Sequence, residues 1–336
     1  MAFQERISET IGSTPLVRLN KVAEEAPATV LAKLEYLNPA GSVKDRAALA
    51  MVDEAERDGT LRPDGTIVEA TSGNTGFALA MIAAERGYSI VAVCPDKVPA
   101  EKTAILEAFG ARVVTVPSDA PVDSPDHWLS VARCIAAATP NAIFADQFFN
   151  PANPEGHYRT TGPEIWRQTD GRVSVFVAGA ATGGTITGCA RYLKEKSPGI
   201  EVVMADPVGS IYKTYHETGR IVDPVPYLVE AMGQDAPFIP DALDPEIVDR
   251  VVGVSDEDAF RMARRLCREE GIFCGGSSGA IVSVALRVAR EMTEDDVVVA
   301  IVPDGGDRYL SRVYSDEWIG RNVKASSRLA GGSDDG

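Results

Sequence analysis

The chain has 336 residues, enough for two domains and for a large core that needs neither disulfides nor metals. Asp and Glu number 49 against 33 Lys and Arg, a formal net charge of -16, which argues against nucleic acid or an anionic membrane as a partner. No run of about 18 apolar residues occurs, and the five cysteines form no CxxC pair, so neither a membrane span nor a zinc or disulfide framework is expected. These features together read as a soluble protein of a reducing cytoplasm.

In chain order, two periods alternate. RAALAMVDEAERDG (46–59) has helical spacing and stops at Gly59, and TIVEA (66–70) is a short buried strand. NTGFALAMIAAERGY (74–88) is a helix and SIVAVCP (89–95) a strand, followed by the helix AEKTAILEAFGA (100–111) and the strand RVVTVP (112–117). After a polar stretch come the helix DHWLSVARCIAAAT (126–139), the strand VSVFVAG (173–179), the helix TITGCARYLKEKSPG (185–199) and the strand IEVVMADP (200–207). Two amphipathic helices (256–271 and 278–292) and a last buried strand, DVVVAIVPD (296–304), complete the pattern. Such alternation predicts βαβ units with parallel sheets, as two α/β halves joined near 145–160. The tail 325–336 is rich in Gly, Ser and Asp and reads as disordered.

Three segments rich in Gly, Ser and Thr, TSGNTG (71–76), GAATGGTITG (179–188) and GGSSGA (275–280), are read as strand-to-helix turns. There the backbone N–H groups of a helix start are available to an anion. One such turn is ordinary turn chemistry. Three in one chain, where open α/β sheets bind their ligands, point to a ligand site. None is a Walker A loop and none fits GxGxxG, so nucleotide binding is disfavoured.

A fourth segment, NPAGSVKDRAA (38–48), puts Lys44 just inside a helix start, where the helix dipole disfavours a cation. Most lysines are solvated surface residues. The apolar flanks Val43, Ala47 and Ala48 instead suit a half-buried lysine with a lowered pKa, a better nucleophile or Schiff-base former.

SVKDR, TSGNTG, ATGGTITG and GGSSG in that order resemble the fold type II pyridoxal-phosphate enzymes (tryptophan synthase β-like), and within them the cysteine synthase and cystathionine β-synthase family. The resemblance runs from ETIGSTPLVRLN (9–20) to YLSRVYSDEWI (309–319). It implies two open, twisted α/β domains with the cofactor between them: a larger cofactor-binding domain of 1–45 plus 148–322, a smaller mobile domain of 46–147, and a disordered tail from 323 to 336. It also implies pyridoxal 5′-phosphate as cofactor, with Lys44 carrying it as a Schiff base and acting as general base and acid. Ala181, Thr182, Gly183, Gly184 and Thr185 would cradle the 5′-phosphate. Asn74 would hydrogen-bond the ring hydroxyl, and Ser277 would face the pyridine nitrogen. Thr71, Ser72, Thr75 and Gln147 would hold the substrate carboxylate. A serine at the ring nitrogen does not force that nitrogen to stay protonated, which fits α-proton loss followed by prompt β-elimination. The family turn usually reads GTGGT. Ala181 departs from it, and its Cβ is tolerable if φ is negative there.

The C-terminal half bears on the reaction. YLVEAMGQDAPFIPDALD (227–244) resembles the cystathionine β-synthase branch, with Glu230 where cysteine synthases typically carry Gln. A carboxylate there would receive a thiol proton or pair with an ammonium group, so Glu230 is assigned a catalytic role. Neither the haem-binding extension nor the regulatory module of the animal-type enzymes is recognised. The expectation is β-replacement on L-serine or an O-activated serine through an aminoacrylate, with homocysteine as nucleophile. The alternatives are a cysteine synthase using O-acetylserine or O-phosphoserine with sulfide, a relative that adds a nitrogen nucleophile, and a catalytically silent cofactor-binding partner protein. The resemblance also implies amino-acid substrates and a homodimer.

Overall fold

The structure is a computed structural model that describes residues 3–71 and 73–330, with side chains to Val323. Its strands are β1 (Leu16–Arg18), β2 (Thr29–Leu34), β3 (Thr66–Ala70), β4 (Ser89–Pro95), β5 (Arg112–Val116), β6 (Ala142–Phe144), β7 (Val175–Gly179), β8 (Glu201–Pro207), β9 (Arg250–Val254) and β10 (Val297–Val302). Its helices are α1 (Lys44–Arg57), α2 (Asn74–Arg86), α3 (Ala100–Ala108), α4 (Trp128–Ala138), α5 (Ala152–Arg159), α6 (Thr161–Gln168), α7 (Gly184–Lys196), α8 (Tyr212–Thr218), α9 (Asp256–Arg265), α10 (Gly276–Ala289) and α11 (Asp316–Ala330).

The fold is α/β, as expected, with two sheets of mainly parallel strands. The chain divides into two units, one of residues 1–13 and 38–156, the other of 14–37 and 157–336. The first unit holds a four-stranded parallel sheet in the order β5-β4-β3-β6. Its core gathers Ala47, Met51 and Val52 of α1, Phe77 and Ile82 of α2, and Ile67 of β3.

The second unit holds a six-stranded sheet, β1-β2-β10-β7-β8-β9, in which only the edge strand β1 is antiparallel to its neighbour. Helices cover both faces, which explains the unbroken apolar runs in its strands. Val175 and Val177 of β7 join the core on one side and Phe176 and Ala178 the core on the other; in β10, Val298 and Ala300 oppose Val299 and Ile301 in the same way.

Three features differ from the sequence reading. GGSSGA follows an isolated bridge, Cys274 to Gly305, and not a strand. The expected helix 256–271 ends as α9 and continues as a π-helical turn, Leu266–Glu270. Between 323 and 330, expected to be disordered, the backbone is helical, because α11 lays Trp318, Ile319 and the buried Val323 against the core. The tail from 331 to 336 lies outside the described residues.

Candidate active site

In the first unit, Lys44 is the first residue of α1 and is half-buried. The turn before it is tied down by short side chains. Asn38 Oδ1 accepts from the Gly12 N–H at 2.8 Å, its Nδ2 donates to Ser42 O at 3.1 Å, and the Lys44 N–H donates to Ser42 Oγ at 3.2 Å. Asp45, fully buried, accepts from the Ala40 N–H at 2.6 Å. Polar residues in the motif therefore fix the direction in which α1 begins.

The turn after β3 is organised by Thr71, whose Oγ1 accepts the N–H groups of Gly73 at 3.2 Å and Gly76 at 3.1 Å. Asn74 is the first residue of α2. Thr75 Oγ1 donates to Gln147 Oε1 at 2.6 Å, and Gln147 Nε2 donates to Ala70 O at 3.2 Å, so two of the candidate residues, 72 apart in sequence, meet. Ser72 lies outside the described residues. Behind this group stands Glu69 on β3, fully buried, its carboxyl pushed well above the carboxylate range by burial and by the nearby Asp146.

In the second unit, β7 ends at Gly179 and the turn 181–185 leads into α7, whose first N–H groups have no intrahelical acceptor. Gly183 sits at φ 86°, and a Cβ there would lie 2.3 Å from Leu243 Cβ, so only glycine fits. Ala181 is not among the non-glycine residues with positive φ, so its Cβ causes no strain. Thr182 is buried, and its Oγ1 accepts from the Gly184 N–H at 3.4 Å. Thr185 Oγ1 lies 3.2 Å from His157 Nε2, and His157 Nδ1 lies 2.8 Å from Thr161 Oγ1. Ser277, in the first turn of α10, is 1% exposed, and its Oγ has no hydrogen-bond partner among the described residues.

Glu230 is partly exposed and ion-paired with Arg312, so it is not an unattached surface acid. Its segment is held closely. The Leu228 and Val229 N–H groups donate to Asp256 Oδ1 at 2.9 and 3.1 Å, and the Gly233 N–H donates to Ala180 O at 2.6 Å. Ala231 adopts φ 62°, a conformation that costs a non-glycine residue on the order of 1 kcal/mol. Next to this segment, Tyr309 donates to Asp304 Oδ2 at 2.6 Å.

The sequence reading did not single out Arg312, His157 or Tyr212, which reaches the Ala181 carbonyl. Each meets a candidate-site residue from at least 28 positions away in the chain, a contact that no local pattern reports. Among the described residues no helix is long and apolar enough to cross a membrane.

Residues 7–304 match the family model described as "Pyridoxal-phosphate dependent enzyme". Cystathionine β-synthase of Oryctolagus cuniculus is 45% identical over 315 residues, covering 93% of this chain and 57% of the relative. That of Dictyostelium discoideum is 39% identical over 320 residues, covering 94% of this chain and 63% of the relative. The chain thus spans about three fifths of these curated relatives. Among solved structures, an O-acetylserine-dependent cystathionine β-synthase from Helicobacter pylori matches with TM-score 0.85 at 35% identity, covering 94% of this chain and all of that one. A hydrogen sulfide-producing enzyme from Fusobacterium nucleatum matches with TM-score 0.84 at 34% identity over 92% of this chain.

The residues present fit the cofactor of that family. A locked glycine turn opening a helix suits a phosphate, and the buried, partnerless Ser277 hydroxyl suits a ring nitrogen.

Proposed function

The chain belongs to the family of pyridoxal-phosphate dependent enzymes, and from that premise we propose that it catalyses β-replacement on L-serine or an O-activated serine, with homocysteine as nucleophile. The observation that carries the reaction type is Ser277: a neutral hydroxyl, buried and without a partner, at the place assigned to the ring nitrogen. A hydroxyl accepts or donates a hydrogen bond without imposing a charge, whereas a carboxylate would hold the ring cationic.

When bound, the cofactor supplies an electron sink that lets an amino acid lose its α-proton and then its β-substituent. The protein's own residues do the rest. Lys44 Nζ holds the cofactor between turnovers and carries the proton to and from the substrate α-carbon. The 181–185 turn binds the phosphate through N–H groups and the Thr182 and Thr185 hydroxyls, and Asn74 orients the ring hydroxyl. Thr71, Ser72, Thr75 and Gln147 orient the substrate carboxylate, and Thr75 and Gln147 are joined to each other. Glu230, held by Arg312, offers a carboxylate to the second substrate. The assembly we propose is a cytoplasmic homodimer.

The test crosses L-serine, O-acetylserine and O-phosphoserine against homocysteine, sulfide and hydroxylamine, with products identified by mass spectrometry. Cystathionine should dominate, and Glu230→Gln should slow the homocysteine reaction by about 10²-fold while sulfide, small and largely ionised near neutral pH, is affected much less. Cysteine as main product would overturn the homocysteine assignment, and equal slowing with both nucleophiles would overturn the role given to Glu230. Absence of turnover on every donor in a cofactor-loaded protein would favour the silent partner. Borohydride reduction and peptide mapping should mark Lys44 and no other lysine.

A further inference from the structure

Tyr212 belongs to none of the four motifs assigned to the cofactor, yet it grips the turn assigned to the phosphate. It is the first residue of α8 and 2% exposed, and its hydroxyl donates to Ala181 O at 2.5 Å. The preceding carbonyl, Ala180 O, is taken by the Gly233 N–H at 2.6 Å. Tyr212 is itself moored. Asp206 Oδ2, at the end of β8, accepts from the Lys213 N–H at 2.9 Å, and Ser210 Oγ accepts from the Gln234 N–H at 3.0 Å. Its ring packs in the buried cluster with Ala180, Ile186 and Leu243.

The consequence follows from peptide geometry. The Ala181 carbonyl and the Thr182 N–H belong to one planar trans peptide, so they point in opposite directions. With the carbonyl fixed on Tyr212, the Thr182 N–H faces away from Tyr212. A flipped peptide would present a carbonyl oxygen, which repels an anion, where the N–H now stands. Burial and the neighbouring Asp206, Tyr227 and Asp235 push the phenol well above its usual pKa, so it remains a donor at every working pH.

We propose that Tyr212 is a positioning residue for the anion site at 181–185: it holds the Ala181–Thr182 peptide so that its N–H serves the 5′-phosphate. This rests on the reading of that turn as the phosphate site, and the experiment separates the two. Apoprotein is titrated with pyridoxal 5′-phosphate and with pyridoxal, which lacks the phosphate, for the parent, Tyr212→Phe and Thr185→Ala. Tyr212→Phe should weaken binding of the phosphorylated compound about 10-fold, the scale of one buried hydrogen bond left unmade, and leave pyridoxal unchanged. Thr185→Ala should also lower the ratio of the two affinities. If Thr185→Ala lowers the ratio and Tyr212→Phe does not, the proposal for Tyr212 falls alone. If neither lowers it, the turn is not the phosphate site. Equal weakening of both compounds by Tyr212→Phe would reveal a merely structural role and also overturn the proposal. A further measurement needs no variant: in apoprotein carrying ¹⁵N-threonine, inorganic phosphate should shift the Thr182 amide, and an unmoved Thr182 amide overturns the proposal.

Discussion

The two glycine-rich turns that follow β3 and β7 differ in the space around the glycine that immediately precedes each helix, Gly73 before α2 and Gly183 before α7, although Gly76 in the first turn is itself crowded by Thr71 and Leu106. Gly183, in the second unit, has positive φ and would drive a Cβ to 2.3 Å from Leu243, while Ala180 O and Ala181 O are both claimed by donors from the following segment. Gly73, in the first unit, has φ 167° and ψ -101°, outside the left-handed region, and a Cβ there would meet nothing nearer than Lys102 Cδ at 3.6 Å among the described residues. The first kind of turn suits a resident group whose charge and position never change. The second suits small ligands that enter and leave, with Thr71 and the Thr75–Gln147 pair supplying order without filling the space.

The largest expected effect sharpens this contrast directly. Gly183→Ala combines a left-handed backbone with a clash, each costing about 1–3 kcal/mol. Cofactor retained after gel filtration should fall to near nothing, with affinity down on the order of 10²-fold. Gly73→Ala should change cofactor affinity by less than about 3-fold. Similar outcomes for the two variants would break the comparison.

An intermediate effect is expected at the Thr75–Gln147 pair. Gln147→Ala leaves the Thr75 hydroxyl without its acceptor and removes an amide assigned to the substrate carboxylate. The KM for the amino-acid donor should rise by about 10-fold to 100-fold, while cofactor affinity and spectrum stay as in the parent. A loss of cofactor as large as the loss of substrate binding would mean that the Thr75–Gln147 pair does not serve the substrate alone.

The last effect is on stability and not on binding, and it concerns the carboxylate that moors α8. Asp206, which moors α8, is buried and its carboxyl is pushed up to about 6, chiefly by burial. A folded-state pKa above the unfolded value means that the folded protein binds the extra proton. Stability from this group is therefore full below about pH 4 and is lost as pH rises to about 6, by at most roughly 3 kcal/mol. Urea midpoints measured from pH 4 to pH 8 should show a downward slope over that window that Asp206→Asn removes. Parallel profiles for the two proteins would mean that Asp206 titrates normally in the fold.

Much of this architecture was legible in the chain. The strands at 66–70 and 89–95 match β3 and β4 to the residue, because short, largely apolar segments lying between turn residues leave little choice of limits, even with Glu69 inside the first. The edge strand β1 and the three-residue β6 give no such signal. In β2 the apolar run is broken by Lys33, fully buried because its Nζ donates to Glu164 at 2.6 Å and to Thr14 O at 2.7 Å. Glu164 lies 131 residues away on α6, a distance over which no window of sequence reports.

The same division holds in the candidate site. Lys44, Asn74, the 181–185 turn and Ser277 sit at helix starts or in the turns that lead into them, where short-range rules on helix starts and glycine placement suffice to locate them, and the sequence by itself determined those places. Only the tertiary structure decided that Gly183 faces Leu243, that Arg312 holds Glu230, that His157 meets Thr185 and that Tyr212 turns the Ala181 peptide. The physical reason is range. Backbone conformation answers to neighbours within a few residues, whereas a side-chain hydrogen bond or an ion pair answers to whatever the packed core brings within about 3 Å.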